Sequence, residues 1–400
     1  MSKNKYIQAV ILCGGEGTRL GKITKKIPKP LIKINKKSFI DYQINHLKKF
    51  GFKKFLLLCK YKSKKFIYKY KNKKNIKIVV EKTKMNTGGA LIESIKKLDN
   101  NFLIYNGDTF ADFNFNFFIE NLKKSKVKNS IAIKYETAAN RYDKVKFNNK
   151  SNLIEKIDKN INSNFIFSGF ALLNRNSLRN IKVKKITFEK LILNNLIKNK
   201  NLIGFKVIKN VNFIDIGVKS DLKKSSKILN NYKNKKVVFF DRDGTINKDT
   251  KYLHKKEDFV WNRSFFKTIN FLNSKNILSI VITNQSGVGR GYYSEKDVLK
   301  LHNWMNEVLM HKNSFIDDFF YAPYHDNSKK FIFSKKDQNM RKPNTGMIIK
   351  AKKKWGLNLM KSIIIGDSYV DELLAKNLKI KFLKVNYKTN LLKILKNNLY

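Results

Sequence analysis

Two aspartates that follow an apolar segment are the first residues in this sequence whose types and spacing suggest chemistry. Asp241 and Asp243 come directly after Val237–Phe240, which has the composition of a buried β-strand. Alternate side chains of a strand share a face, so both carboxylates would lie together at its carboxyl end, the usual ligand edge of an α/β sheet. Two carboxylates on one face collect a hard divalent cation, and one of them can attack a phosphorus atom. A strand ending in an ordinary Asp-Gly turn at Gly244 is the alternative that involves no chemistry.

Later segments supply the other groups that phosphoryl transfer needs. A second apolar strand ends in Thr283 and Asn284, whose hydroxyl and amide groups can grip a phosphoryl oxygen. Lys342 adds a fixed positive charge. A further apolar strand ends in Asp367, and Asp371 follows about one helical turn later. The order of these groups along the chain favours a phosphoryl-transfer site over a turn.

This ordered set resembles the haloacid-dehalogenase (HAD) phosphatase superfamily, from about residue 235 to 385. The resemblance implies a HAD-like Rossmannoid fold in which Asp241 is the nucleophile that becomes an aspartyl-phosphate, with Asp243 as general acid/base. It also implies three phosphate-binding residues, Thr283, Asn284 and Lys342. The implied Mg²⁺ ligands are Asp241, Asp243 and Asp367.

The residues in and around these motifs are similar to those of one branch of the superfamily, the heptose-bisphosphate and histidinol-phosphate phosphatases. The similarity rests on residues 241–247, 283–292 and 341–347. That branch commonly carries a zinc loop, written Cys-x-His with a later Cys-x-Cys. The matching positions here are Ala322, Tyr324, Gln338 and Met340. With no thiolate in reach we expect Mg²⁺ and no zinc.

A glycine-rich turn follows the apolar segment of residues 6–12 near the start of the chain. Its glycines would let backbone N–H groups approach a phosphate closely, and Arg19 adds a planar cationic fork. Lys29, between two prolines, is a second cation on a rigid segment. Asp108 and Asp215 end later strands, and the two carboxylates could share Mg²⁺ with substrate phosphates. Since glycine-rich turns are frequent after strands, the turn alone does not establish nucleotide binding.

The whole constellation resembles the sugar-phosphate nucleotidyltransferases, over roughly residues 5–229, and most of all the heptose-1-phosphate guanylyltransferases. This implies a Rossmann-like (GT-A-like) domain with Arg19 and Lys29 as catalytic residues. The implied nucleotide-binding residues are Leu12, Gly14, Gly15, Gly17, Thr18 and Gly88. Asp108 and Asp215 would hold Mg²⁺. Lys159 and Glu189 are candidate sugar contacts.

Short apolar strands alternate with amphipathic helices along the chain, which predicts an α/β protein with mostly parallel sheets. The predicted helices are Tyr42–Phe50, Gly89–Leu98, Phe265–Ser274 and Glu295–His311. The polar stretch Lys223–Lys236 contains no Gly/Ser or Pro tether, so we expect a short helix there. It separates the two predicted domains, residues 1–230 and 235–400, and 400 residues suffice for two cores.

Cysteine content and hydropathy indicate the compartment. Cys13 and Cys59 are the two cysteines of the chain, too few for a disulfide framework and suited to a reducing cytosol. No apolar run reaches the roughly 18 residues of a membrane span, and no secretory signal opens the sequence. We therefore predict a cytoplasmic protein without membrane insertion.

The net charge of +55 points at first to nucleic acid or a membrane surface. The lysines are, however, spread from end to end and interleaved with Asn and Ile, so we interpret them as a compositional bias of the host proteome. On this interpretation the protein has no specific nucleic-acid partner, although the charge would still attract phosphorylated substrates.

Binding to random-sequence DNA is accordingly expected to be weak and to fade steeply as salt rises through the physiological range. Fluorescence anisotropy of a labelled duplex at several salt concentrations measures this. Submicromolar binding that persists at about 0.2 M salt would contradict the interpretation.

Together the resemblances imply a bifunctional enzyme of nucleotide-activated heptose synthesis, as used for lipopolysaccharide, capsule or S-layer. The second domain would remove the 7-phosphate of a heptose 1,7-bisphosphate, and the first would transfer GMP from GTP to the heptose 1-phosphate. A different sugar 1-phosphate, or CTP, UTP or dTTP in place of GTP, would leave every phosphate-binding residue unchanged. Histidinol phosphate remains open for the second domain. A basic nucleic-acid-binding protein on inactive enzyme folds is the alternative from another class, and the oligomeric state is undetermined.

Overall fold

The computed structural model describes residues 8–81, 83, 85–137, 141–207, 211–326, 328, 331–334 and 338–399, with only the backbone described at 331 and 332. The chain divides into two compact units, with the division after Asn230.

The first unit alternates strands and helices. Its strands are β1 (Gln8–Leu12), β2 (Lys33–Ile34), β3 (Lys37–Ser38), β4 (Lys54–Cys59), β5 (Ile76–Val80), β6 (Asn101–Asn106), β7 (Thr109–Ala111), β8 (Ser130–Tyr135), β9 (Lys144–Phe147), β10 (Ile154–Asp158), β11 (Phe165–Asn174), β12 (Ile203–Lys206) and β13 (Phe213–Asp215). Its helices are α1 (Lys22–Lys26), α2 (Phe39–Lys49), α3 (Ser63–Tyr70), α4 (Asn86–Glu93), α5 (Phe115–Lys123), α6 (Asn194–Lys198) and α7 (Lys219–Lys233), the last of which crosses the division.

The main sheet of the first unit has the order β10-β9-β11-β6-β1-β4-β5, with β8 and β12 attached through β11. Strands β6, β1, β4 and β5 are parallel, whereas β11 is antiparallel to β6 and to β8. The prediction of mostly parallel pairing is therefore wrong for the half of the sheet that contains β9, β10 and β11. For β9 and β10, which are antiparallel, the physical reason is their short connection of residues 148–153, because parallel neighbours need a crossover of a dozen residues or more.

The parallel half brings two predicted site segments together. Leu12 at the end of β1 is in register with Asn106 at the end of β6, so the glycine-rich turn lies beside the turn that carries Asp108. A separate ribbon pairs Thr109 with Asp215. The two predicted metal carboxylates thus lie on adjoining turns although 107 positions separate them in the sequence.

The second unit contains strands β14 (Val237–Phe240), β15 (Leu278–Asn284), β16 (Asp318–Ala322), β17 (Ser362–Gly366) and β18 (Lys381–Lys384). Its helices are α8 (Phe265–Ser274), α9 (Ser286–Gly289), α10 (Glu295–His311), α11 (Phe331–Ser334), α12 (Gly346–Trp355), α13 (Tyr369–Leu378) and α14 (Leu391–Asn398). The sheet order is β16-β15-β14-β17-β18, and these five strands pair in parallel. All its carboxyl ends therefore face one edge, where β14, β15 and β17 deliver the predicted site residues.

Local signals explain where the helices were predicted well. The predicted helix Glu295–His311 is confirmed, because Ser294 and Asp297 form a capping box at its start. The helix Phe265–Ser274 is also confirmed, and Phe265, Ile269 and Leu272 pack into the core beneath the sheet. The helix expected within Lys223–Lys236 is longer than predicted, since α7 spans 15 residues.

Within the described part of the chain, no helix combines the length and the apolar character needed to cross a membrane.

Candidate active sites

In the second unit, the ammonium of Lys342 lies between two carboxylates. Its Nζ is 2.8 Å from Asp241 Oδ1 and 2.6 Å from Asp371 Oδ1, and its side chain is 3% exposed. Although burial opposes it, the two carboxylates raise the pKa of Lys342 above its ordinary value. Burial raises the pKa of Asp241 to about 8, with Lys342 acting in the opposite direction. A fixed positive charge thus stands beside the carboxylate that is predicted to attack phosphorus.

A group of carboxylates that suits a metal lies at the same edge. Asp241, Asp367 and Asp371 each offer an oxygen within 4.8 Å of the others. Hard oxygen ligands in this number suit Mg²⁺ completed by water and phosphate. Gly244 makes room for the group, because a Cβ there would lie 1.9 Å from Asp367 Oδ2 and its φ is +79°. These side chains would hold Mg²⁺, which would neutralise charge on a bound phosphoryl group.

Asp243 is placed differently from the prediction that it is a metal ligand. Among the described residues, the carboxylate group around Asp241 is completed by Asp367 and Asp371, and Asp243 is not part of it. Its carboxylate instead accepts hydrogen bonds from Arg242, Gln285 and Asn247. This arrangement fixes the side chain two residues from the nucleophile, which is compatible with a role as acid or base.

The two predicted phosphate-binding residues at the end of β15 make different contacts. Thr283 is 1% exposed, and its hydroxyl accepts a hydrogen bond from Gln285 at 2.9 Å. The amide of Asn284 accepts from the backbone N–H of Lys342 at 2.9 Å and donates to its carbonyl at 3.1 Å. Asn284 therefore holds the Lys342 loop in place.

The segment that carries the zinc loop in similar phosphatases is held here by other means. Ala322 and Met340 are buried, as expected for apolar residues at these two positions. Gln338 donates to Asp326 at 2.7 Å, and His325 lies 2.7 Å from a guanidinium nitrogen of Arg290. Phe333 packs as its apolar side chain predicts, since it contacts Tyr324 and the cluster of Val288, Tyr293 and Val298. The sequence predicts the same packing for Phe331, whose side chain lies outside the described residues.

Metal analysis of the purified protein should therefore find no stoichiometric zinc, because hydrogen bonds and packing stabilise this segment. A zinc chelator that leaves Mg²⁺ in solution should not lower the phosphatase rate. One tightly bound zinc per chain, lost together with activity on chelation, would contradict this expectation.

In the first unit, the predicted nucleotide and metal residues surround a cavity of about 550 Å³. The lining includes Leu12, Gly15, Gly17, Thr18, Arg19, Lys29, Asp108, Lys159, Glu189 and Asp215. Gly14 and Gly88 lie behind it: a Cβ on Gly14 would meet Glu81 Oε1 at 2.7 Å, and one on Gly88 would meet the Thr187 carbonyl at 2.6 Å. These two glycines permit close backbone packing, whereas the others face the cavity.

Each predicted metal carboxylate of this cavity is paired with a cation. Lys29 Nζ lies 3.0 Å from Asp108 Oδ2, and Arg141 lies 3.5 Å from Asp215 Oδ2 and also contacts Asp221. Burial, and then the nearby Asp108 carboxylate, raise the pKa of Asp215 to about 6. A carboxylate whose ionisation is opposed by a neighbouring carboxylate is favoured by a divalent cation, so Asp108 and Asp215 would hold Mg²⁺.

The candidate sugar contacts line the same cavity. Lys159 follows the end of β10, and Glu189 begins the helical turn that continues into α6. Burial raises the pKa of Glu189 above its ordinary value. The residues predicted to bind phosphate and sugar therefore line a single cavity, whose volume lies within the range of ligand sites.

Three residues of these sites were given no role from the sequence, namely Arg141, Arg242 and Asp371. Arg242 stands between the two aspartates just after β14, and its burial has no signal in the sequence, because charged side chains are mostly solvated. Asp371 lies one turn after Asp367, a spacing that places both at one helix start. Arg141 has no signal beyond its charge, because its partners come from distant turns.

Comparisons with known proteins agree with this division. The family model described as nucleotidyl transferase matches residues 8–231, and the one described as polynucleotide kinase 3 phosphatase matches residues 236–385. A D-glycero-alpha-D-manno-heptose 1-phosphate guanylyltransferase of Campylobacter jejuni is 35% identical over 222 residues, covering 54% of this chain and 96% of that protein. A D-glycero-alpha-D-manno-heptose-1,7-bisphosphate 7-phosphatase of Photorhabdus laumondii is 40% identical over 136 residues, covering 34% of this chain and 74% of that protein.

A crystal structure of a candidate glucose-1-phosphate thymidylyltransferase from Bacillus anthracis superimposes with a TM-score of 0.50 at 16% identity, covering 55% of this chain and 94% of that one. At this identity it shows the fold of the first unit alone. For each unit, the site residues and the relatives indicate the same family. The first unit has carboxylates, cations and a glycine turn, and the second has carboxylates and a buried lysine. The chain therefore belongs to the nucleotidyl transferase family over its first unit and to the family of HAD-like phosphatases that includes the Photorhabdus enzyme over its second.

Proposed function

We propose that this chain is a bifunctional enzyme of heptose activation. The second unit removes the 7-phosphate of a D-glycero-D-manno-heptose 1,7-bisphosphate, and the first unit transfers GMP from GTP to the remaining 1-phosphate. The products of the two steps are GDP-heptose, phosphate and pyrophosphate. Two observations support the proposal. The chain has a set of carboxylates and cations in each unit, and the relatives of the two units are named for consecutive heptose phosphates.

In the phosphatase unit, Asp241 attacks the 7-phosphoryl group while Lys342 balances the charge on its oxygens. The bond between phosphorus and the sugar oxygen breaks, and Asp243 supplies the proton to that oxygen. In the second half, water attacks the aspartyl-phosphate and Asp243 accepts the proton. General acid–base help of this kind typically contributes about 10²–10⁴-fold.

In the nucleotidyltransferase unit, an oxygen of the sugar 1-phosphate attacks the α-phosphorus of GTP, and pyrophosphate leaves. Arg19 and Lys29 line the cavity and would bind the triphosphate, while Asp108 and Asp215 would hold Mg²⁺. The glycine turn lets backbone N–H groups approach the phosphates, with Gly17 at a φ of +68°. Positioning and charge neutralisation therefore account for most of the rate.

The choice of GTP and of heptose is supported by the relatives' activities, since the phosphate-binding residues are compatible with other bases and sugars. We propose a cytoplasmic enzyme that uses Mg²⁺ in both units and makes a precursor of a surface glycan such as lipopolysaccharide, capsule or S-layer. Its domains are residues 1–230 and 235–400. The basic surface attracts anionic substrates and binds no specific nucleic acid.

Substrate panels test each half separately. Phosphate release should be fastest with heptose 1,7-bisphosphate among heptose bisphosphate, histidinol phosphate and a 3′-phosphorylated oligonucleotide. Pyrophosphate release with heptose 1-phosphate should be fastest with GTP among the nucleoside triphosphates. A preference of at least about tenfold for histidinol phosphate, or for another triphosphate, would replace that half of the assignment.

A further inference from the structure

Among the described residues of the second unit, Arg242 has the largest fully buried side chain. The phosphatase steps described above do not use its guanidinium. Burying a guanidinium is costly unless charge and hydrogen bonds compensate it. Its Nε donates to Asp243 Oδ1 at 3.1 Å and its Nη2 to Asp243 Oδ2 at 2.9 Å, so the fork grips both oxygens of the carboxylate. The group that compensates the buried charge of Arg242 is thus the carboxylate of Asp243, the proposed acid/base.

Further partners hold the guanidinium on its other side. Nη2 also donates to the Leu253 carbonyl at 2.8 Å and to Gln285 Oε1 at 3.1 Å, and Nη1 lies 3.4 Å from His302 Nε2. Burial, and then the guanidinium, lower the pKa of His302 well below its ordinary value, so the imidazole is neutral and can accept. The guanidinium is therefore held by the turn after β14, the loop at Leu253, the turn after β15 and the helix α10.

The carboxylate of Asp243 receives two more donors. Gln285 Nε2 donates to Oδ2 at 2.9 Å and Asn247 Nδ2 donates to Oδ1 at 3.1 Å. Four N–H donors aimed at its two oxygens match the hydrogen-bonding capacity of a carboxylate, which only accepts. Asn247 also donates to the Lys248 carbonyl at 2.8 Å, so it can yield its place on Oδ1 to a water molecule without losing that bond.

We propose that Arg242 is a positioning residue that fixes Asp243 as the base for hydrolysis of the aspartyl-phosphate. In that step a water oxygen bonds to phosphorus and the bond from phosphorus to Asp241 breaks. The water proton passes to Asp243, and phosphate leaves with Asp241 regenerated as a carboxylate. The inference rests on the proposed function only in taking Asp241 as the nucleophile. It does not depend on which sugar the enzyme uses.

The test uses p-nitrophenyl phosphate, whose leaving group departs without a proton from Asp243. In the full-length Arg242→Met protein, the step that forms the aspartyl-phosphate should persist while its hydrolysis slows by about 10²-fold. Stopped-flow absorbance should then show a burst of about one nitrophenolate per enzyme, followed by the slow steady state. kcat should fall by that factor, and kcat/KM by less than about fivefold, because kcat/KM reports only the steps through leaving-group departure. Arg242→Lys, which keeps the charge but loses the fork, should show the same burst with a smaller loss, and it serves if the Met variant does not fold.

Two controls separate the outcomes. Trp355→Phe removes a buried 2.8 Å hydrogen bond to Asp318 at the opposite edge of the same sheet, so it should lower stability without producing a burst. Asp241→Asn should give no nitrophenolate. Activity of Asp241→Asn would refute the nucleophile and the inference with it. An inactive Asp241→Asn, together with Arg242 variants that show no burst and equal losses in kcat and kcat/KM, would refute the inference alone.

Discussion

Replacing Asp241 with asparagine should abolish phosphate release from heptose 1,7-bisphosphate, by on the order of 10⁴-fold or more, as loss of a nucleophile does elsewhere. The amide cannot form the acyl-phosphate. The variant should still fold, because it keeps the size of the side chain and Lys342 retains Asp371 at 2.6 Å. Guanylyl transfer from supplied heptose 1-phosphate should continue at the wild-type rate, since the two constellations share no residue.

Coupled assays for phosphate and for pyrophosphate measure the two activities of the Asp241 variant side by side. The exposed Asp258→Asn, in the same unit, is the matched control and should change neither. A folded Asp241→Asn protein that lost both activities would contradict the two-site account.

Replacing Asp108 with alanine should have the reverse effect, with loss of pyrophosphate formation by several orders of magnitude and unchanged phosphate release. The substitution removes one of the two carboxylates that would hold Mg²⁺ and frees the Lys29 ammonium from its 3.0 Å ion pair. Titration of Mg²⁺ should show that saturating metal fails to restore the rate. Asp99→Ala is the control and should leave both rates intact. It breaks an exposed ion pair between Asp99, just before β6, and Lys54 at the start of β4.

The sequence was sufficient to predict those site residues that end a strand. Asp241, Thr283 and Asp367 all follow apolar runs, and the parallel sheet brings such ends to one edge. The glycine turn and Asp108 are predictable for the same reason. Each of these cases needs only local periodicity and the rule that ligands bind at the carboxyl ends of strands.

What the sequence did not reveal depends on tertiary pairing. Arg141 contacts Asp215 and Asp221 across turns that are 74 and 80 positions away, and no local pattern encodes that distance. The grip of Arg242 on Asp243 was missed because a charged residue at a strand end is usually solvated. The antiparallel half of the first sheet was missed because strand periodicity does not report the direction of the neighbouring strand.

We expect this one chain to carry out two consecutive reactions on the same sugar. Incubation of the wild-type protein with heptose 1,7-bisphosphate, GTP and Mg²⁺, followed by ³¹P NMR, tests it most directly. We predict that heptose 1-phosphate appears first and that each GDP-heptose is accompanied by one phosphate and one pyrophosphate. Pyrophosphate formed without phosphate release, or heptose 1-phosphate that accumulates with GTP unconsumed, would contradict the claim.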